Sequence, residues 1–253
     1  MFARKRFGQN FLRDPNVIDK IVRAIDPKPE QHVIEIGPGR GAMTWPLLDA
    51  LRTLTAIEID RDLIPLLLAE SPAHGALTIV EADVLTVDFT TLAAGRMLRV
   101  VGNLPYNIST PVLFHLLDHA AVIQDMHFML QREVVERMAA PHGDKIYGRL
   151  SVALQARCSV EKLFRVMPGS FWPVPKVESA IVRLTPLHDP ERERLAAPLE
   201  QVLRAAFAQR RKTLSNSLAG VLDPVTIASC GIRPDARAEQ VSVDGFLKLA
   251  NAL

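Results

Sequence analysis

Apolar residues at Val17, Ile18, Ile21, Val22 and Ile25 fall on one helical face, which predicts a helix begun by Asp14-Pro15 and stopped by Asp26-Pro27-Lys28-Pro29. Beyond it the period changes. His32 to Gly37 reads as a buried strand running into Gly37-Pro38-Gly39-Arg40-Gly41, and Ala42 to Leu51 as a helix that tolerates Pro46 near its first turn. Thr53 to Ile59 is the next strand, with a helix to Glu70, a loop at Pro72 to Gly75 and a third strand at Leu77 to Val80. Leu98 to Gly102 is the fourth strand; Thr110-Pro111 then caps a helix carrying Val112, Leu113, Leu116 and Leu117. Met126 to Leu130 is a fifth strand and Glu133 to Ala140 a helix. Such alternation predicts a mostly parallel α/β sheet with helices on both faces. Later the rhythm breaks. Val160 to Val166 and Val177 to Leu184 read as two strands joined by the loop Met167 to Lys176, an antiparallel hairpin closing the sheet edge. After the linker His188-Asp189-Pro190 the pattern is helical, with Leu195, Leu199, Val202, Leu203, Ala206 and Phe207 on one face and breaks at Pro224 and Pro234. Two domains are expected: 1–186, α/β, and 187–253, small and all-helical.

Composition changes this picture little. The 253 residues carry a net charge of only +2, so where the positive charge sits matters more than its sum. Arg4, Lys5, Arg6 and Arg13 precede the first acid, and Arg210-Arg211-Lys212 forms a second cluster. The lone Cys158 and Cys230 suggest neither a disulfide framework nor a thiolate zinc site. His115 and His119 have metal-binding spacing on a helix but no evident third ligand, so no metal is expected. No signal-type or membrane-length apolar run is present, which points to the cytoplasm.

The chemistry gathers at strand ends, where open α/β sheets bind ligands. Strand, glycine turn and helix in that order let backbone N–H groups approach a ligand at a helix N-terminus. Glu58, about twenty positions on, suits the ribose hydroxyls of either NAD or S-adenosylmethionine. Two later features favour the second. Asp83 can accept from an adenine amine, although a turn or N-cap role would also suit it. Asn103-Leu104-Pro105-Tyr106-Asn107 offers an amide oxygen, a carbonyl left free by Pro105 and a ring to stack on, as holding a flat base with an exocyclic amine requires. Taken alone, an Asn-x-Pro sequence marks an ordinary turn.

Six segments together resemble the ribosomal RNA adenine N6,N6-dimethyltransferases: Gly8-Gln9-Asn10-Phe11-Leu12, Glu35-Ile36-Gly37-Pro38-Gly39-Arg40-Gly41, Glu58-Ile59-Asp60, Glu81-Ala82-Asp83, Asn103 to Ser109, and Phe171-x-Pro173-x-Pro175-Lys176-Val177-x-Ser179. The resemblance runs nearly end to end, includes Arg210 to Leu214, and is strongest to the bacterial small-subunit dimethyladenosine transferases. It implies a Rossmann-like class I methyltransferase fold with a helical RNA- and ribosome-binding domain. The implied substrate is two adjacent adenosines in the 3′-terminal hairpin loop of 16S rRNA, in the 30S subunit or its precursor, and the implied context small-subunit maturation. By position, Asn10 and Leu12 would close over S-adenosyl-L-methionine, Gly37 and Gly39 would meet its methionine portion, and Glu58 and Asp83 its ribose and adenine. Asn103, Leu104, Pro105 and Tyr106 would form the catalytic turn where cofactor and target meet. Departures are Glu178, where Asp is usual, and Ser215, at a place often basic.

For RNA, Arg4, Lys5, Arg6, Arg210, Arg211 and Lys212 are the candidate phosphate contacts, though each taken singly is an ordinary solvated charge. Phe171 is expected to cover the other face of a flipped base; ordinary loop packing is the plainer reading. A monomer is expected. Rival readings are a macrolide-resistance methyltransferase of large-subunit RNA, a non-catalytic small-subunit assembly factor, and an NAD-dependent dehydrogenase.

Overall fold

The structure is a computed structural model and describes residues 10–209 and 211–253. Arg4, Lys5, Arg6 and Arg210, as well as Gly8 and Gln9, lie outside the described residues. The chain runs β1 (Phe11–Leu12), α1 (Pro15–Ile25), β2 (His32–Ile36), α2 (Thr44–Leu51), β3 (Thr53–Glu58), α3 (Ile64–Glu70), β4 (Ala76–Glu81), α4 (Phe89–Ala93), β5 (Leu98–Asn103), α5 (Ser109–Asp118) and β6 (Ile123–Gln131). Then follow α6 (Arg132–Met138), α7 (Arg149–Gln155), β7 (Cys158–Val166), β8 (Phe171–Trp172), β9 (Ser179–Pro186), α8 (Pro190–Arg194), α9 (Ala196–Ala206), α10 (Leu214–Ser217), α11 (Pro224–Ser229) and α12 (Val243–Asn251).

The large sheet has the order β4-β3-β2-β5-β6-β9-β7. Strands β4, β3, β2, β5 and β6 are parallel, and β9 runs antiparallel to β6. The succession leaves β2 toward β3 on one side and toward β5 on the other, so a crevice opens beyond the C-terminal ends of β2 and β5. Gly102 makes this join close: a Cβ there would lie 2.7 Å from the Ile36 carbonyl oxygen. The antiparallel edge expected from the sequence is present, with β9 inserted between β6 and β7. A two-residue ladder, β1 against β8, was not legible in the pattern; it pairs Phe11 with Trp172 and Leu12 with Phe171.

The domain boundary differs from the expected one. One compact unit comprises the chain to Arg132 with Glu161–Pro186, and the other comprises Glu133–Val160 with Leu187–Leu253. Residues 133–160 therefore belong with the helical tail. Tyr147 shows why: it is buried, its hydroxyl donates to the Val241 carbonyl at 3.0 Å, and its ring meets Phe207 edge-on. The start of α5 also shifts to Ser109, whose hydroxyl bonds the Tyr106 carbonyl at 3.2 Å.

In the first unit, α1 is capped by Asp14, which accepts from the N–H groups of Asn16 and Val17, and it buries Ile21 and Ile25. Its C-terminal carbonyls would be left unsatisfied without help. Arg99, buried inside β5, donates to the carbonyl of Ile25 at 2.6 Å, and Arg183 to that of Ala24 at 3.0 Å. Asp125 takes Arg99 in a two-pronged pair at 2.9 and 3.0 Å. His127 accepts from Arg183 Nε at 2.9 Å, and its Nδ1 stands 3.6 Å from Asp125. Burial, reinforced by the two guanidinium groups and opposed by Asp125, pushes His127 down from 6.5 to about 4.

The unfolded chain thus binds a proton near pH 6.5 that the fold rejects until about pH 4, so stability is full above pH 6.5 and declines as pH falls. At pH 5 the loss should be about 2 kcal/mol, from the one and a half pKa units involved. Denaturant midpoints of wild type and His127→Gln at pH 7 and pH 5 check this: the wild type should lose more, and parallel losses would refute the assignment.

Candidate active site

Elementary geometry brings the sequence motifs to one place. The glycine turn follows β2, Glu58 ends β3, Asp83 follows β4, and Asn103 ends β5, so parallel strands deliver all four to the same edge of the sheet. Asn10, Leu12, Gly37, Gly39, Glu58, Asp83 and Asn103 border a single cavity within the first unit, together with Leu104, Pro105 and Tyr106. The turn needs its glycines, since Gly37 and Gly39 have φ of 67° and 59°, the left-handed region that side chains disfavour.

Acids dominate one side of the cavity. Glu58 is buried, and its carboxylate accepts from the N–H groups of Ile59 at 2.9 Å, Asp60 at 2.8 Å and Gly39 at 3.4 Å, tying the strand end to the glycine turn. Burial outweighs those bonds and raises its pKa above the ordinary carboxylate value, with Asp60 adding to the effect. Glu35 is a site residue to which the sequence assigns no role. It is buried, its Oε2 accepts from the Thr44 hydroxyl at 2.7 Å, and burial pushes it up to about 7 against the Thr44 bond, with the charge of Glu58 adding to the shift. An acid inside an otherwise apolar strand was the available signal. Asp83 is exposed, and its Oδ1 caps a short turn by accepting from Leu85 N–H at 3.0 Å.

Opposite stands the turn after β5. Asn103 is half-buried, and its amide nitrogen donates to the Asn10 carbonyl at 3.1 Å. This bond orients the amide so that its oxygen is the group left to accept. Leu104 is buried, its N–H donating to the Met129 carbonyl at 3.3 Å. The Tyr106 hydroxyl bonds Ser179 Oγ at 2.8 Å, which fixes a half-buried ring at the cavity border. Ser179, fully buried at the start of β9, is a second residue whose role the sequence did not reveal.

Phe171 must be corrected. It is 1% exposed and packs in the core with Leu12, Ile21, Ile25 and Ile181, so it presents no ring to a base. Side chains alternate along a strand. Phe171 takes the inward face of β8 and Trp172 the outward one. Arg211 and Lys212 are exposed, as phosphate-binding side chains would be. His115 and His119 are absorbed locally, by the Val87 carbonyl at 2.8 Å and Thr90 Oγ1 at 3.1 Å.

The strand order, the antiparallel insertion of β9 and the acid-bordered glycine turn at the switch point define a class I methyltransferase. The family model described as ribosomal RNA adenine dimethylase matches residues 2–253, and the chain belongs to that family. The ribosomal RNA small subunit methyltransferase A of Xanthomonas oryzae pv. oryzae (strain PXO99A) is 58% identical over 254 residues, 98% of this chain and 95% of that one. The protein of the same name from Xanthomonas axonopodis pv. citri (strain 306) is 57% identical, with the same coverage. Among solved structures, a dimethyladenosine transferase from Plasmodium falciparum superposes with a TM-score of 0.82 at 28% identity, over 94% of this chain and 95% of that one. The 23S rRNA methyltransferase ErmE gives 0.74, also at 28% identity, over 96% and 99%.

Proposed function

We infer that this chain is an enzyme that transfers methyl groups from S-adenosyl-L-methionine to N6 of two adjacent adenosines in the 3′-terminal hairpin loop of 16S rRNA. The observation that carries the reading is the Asn103 amide, whose nitrogen donates to the Asn10 carbonyl at 3.1 Å on the border of the cavity that Tyr106 also lines, so that its oxygen is the group left to accept. The alternative on large-subunit RNA is weaker, because small-subunit relatives are 58% identical to the chain and ErmE is 28% identical. A dehydrogenase finds no support in the family.

The residues present fit the cofactor. Two buried acids, Glu35 and Glu58, face each other's field, and among the described residues no guanidinium or ammonium is bonded to either, a costly arrangement that a cationic ligand relieves. Glu58 would hold the ribose hydroxyls, and the carboxylate oxygen of Asp83 not used in its cap would take the adenine amine. Gly37 and Gly39 would meet the methionine portion beneath Asn10 and Leu12. Bound there, S-adenosyl-L-methionine supplies a methyl group on a cationic sulfur.

An adenine amine is a poor nucleophile because its lone pair is delocalised into the ring. Asn103 Oδ1 and the Leu104 carbonyl, each accepting one N–H, would draw N6 toward tetrahedral geometry and expose that pair. Tyr106 would stack on the base, an interaction of roughly 1–3 kcal/mol. The nitrogen becomes acidic only once methylated and can shed its proton to water, so no strong base is needed. Alignment is then the chief source of acceleration, a contribution that can reach roughly 7–11 kcal/mol.

Radiolabelled methyl transfer to small and large subunits purified from an undermethylated strain tests the substrate. Label should enter the small-subunit RNA as N6,N6-dimethyladenosine; label in the large subunit alone would reverse the reading. Arg4, Lys5, Arg6, Arg210, Arg211 and Lys212 would bind phosphate. Replacing Arg210, Arg211 and Lys212 together by Ala should weaken subunit binding and reduce the slope of log affinity against log salt by about two, at ~0.7 for each phosphate neutralised on single-stranded RNA. An unchanged slope would remove them from the interface. The chain would act as a monomer without metal in the cytoplasm, on the 30S subunit or its precursor, as a step in maturation. Among the described residues no helix is long and apolar enough to cross a membrane.

A further inference from the structure

We propose that Trp172 is a stacking platform for the nucleotide next to the target adenosine, a role that rests on the reading of the chain as an rRNA methyltransferase. Trp172 lies directly opposite Phe11 in the antiparallel ladder of β1 and β8. Residues so paired point to the same face, with Cβ atoms roughly 5 Å apart. That face belongs to the active site. Phe11 borders the cavity, its ring would meet a Cβ on Gly39 at 3.4 Å, and the Arg40 guanidinium sits 5.0 Å above it. The residue before Phe11 is Asn10, whose carbonyl holds Asn103.

The indole therefore stands beside the rim on which the target base must be presented, yet it is 44% exposed. Its surroundings continue the theme: Val174 and Val177 are exposed apolar side chains of the same loop, and Lys176 between them is an exposed cation. Aromatic and apolar surface interleaved with positive charge suits unpaired nucleotides, whose bases stack while their phosphates meet the cations. When one of two adjacent adenosines occupies the site beside Tyr106, its neighbour leaves the helical stack as well and needs a surface. The Phe11-Trp172 pair supplies one. Phe171 cannot, since the strand period turns it into the core.

The test uses the full-length enzyme, undermethylated small subunits and S-adenosyl-L-methionine. Trp172→Ala should raise KM for the subunit roughly 5- to 150-fold, the range base–aromatic stacking spans, with the cofactor Kd from calorimetry unchanged. Trp172→Phe should recover most of that affinity, whereas Trp172→Leu, apolar but unable to stack, should not. A wild-type KM in Trp172→Ala, or equal recovery by Leu and Phe, overturns the proposal while leaving the methyltransferase reading intact. Failure of the wild-type enzyme itself to label small subunits would instead sink that reading.

Discussion

Asn103→Ala should leave the protein folded and able to bind S-adenosyl-L-methionine within a few-fold of wild type, while single-turnover methyl transfer to undermethylated small subunits falls by roughly 10²–10³-fold. The magnitude is that of removing one preorganised polar group aimed at a reacting centre. The substitution removes the acceptor for N6 and also the donor that ties the turn to the Asn10 carbonyl at 3.1 Å, so both chemistry and alignment suffer. Asn103→Asp is the sharper companion. Its shape is conserved, but it lacks the amide donor, and it sets a charged carboxylate beside the first methyl group. Dimethylated product should then fall further than monomethylated product when nucleosides are resolved by mass spectrometry. Undiminished dimethylation in Asn103→Asp would refute the role given to the neutral amide. Should Asn103→Ala still restore subunit maturation in cells, the assembly-factor alternative would gain instead.

Glu58→Ala should weaken S-adenosyl-L-methionine binding by about a hundredfold or more. Two ribose hydroxyls donating to one carboxylate make two charge-assisted bonds of roughly 1.5–3 kcal/mol each. Wild-type affinity should also depend on pH with a definite sign. Below about pH 7 Glu35 carries a proton in the unliganded protein, and a cationic ligand must expel it; above that pH it is already ionised. Binding therefore tightens as pH rises through 7 and levels off, and Glu35→Gln should flatten the profile. Calorimetric titrations at pH 6, 7 and 8 decide it, and a profile that weakens with rising pH would contradict the assignment.

Much of this site was legible because parallel sheets turn sequence into position: a motif at a strand's C-terminal end can only arrive at one edge. The glycine turn, Glu58, Asp83 and the Asn103 turn all followed that rule. What sequence could not reveal were pairings between segments far apart in the chain. β1 and β8 have two residues each, too short for a period to declare itself, and they exist because they pair with one another. Their register, not any local preference, sends Phe171 inward and Trp172 out. Ser179 resembles an ordinary strand residue until Tyr106 is seen to bond it, and Glu35, an acid in an apolar strand, shows no partner until Thr44 is seen to bond it. Asp83 could be read two ways, and it does cap a turn. The segment Glu133–Val160 carries helical periodicity like any other; only Val241 and Phe207 disclose which unit it joins.

That split segment governs how the polypeptide can be cut or made. A fragment ending at Pro186 would keep Glu133–Val160 but strip away Val241 and Phe207, leaving Tyr147 with neither its carbonyl nor its aromatic neighbour. During synthesis the same orphaned state arises in every molecule, because residues 133–160 leave the ribosome well before the tail that buries them. The helical half can close only near the end of translation, whereas the parallel strands β2 to β6 are complete by Gln131.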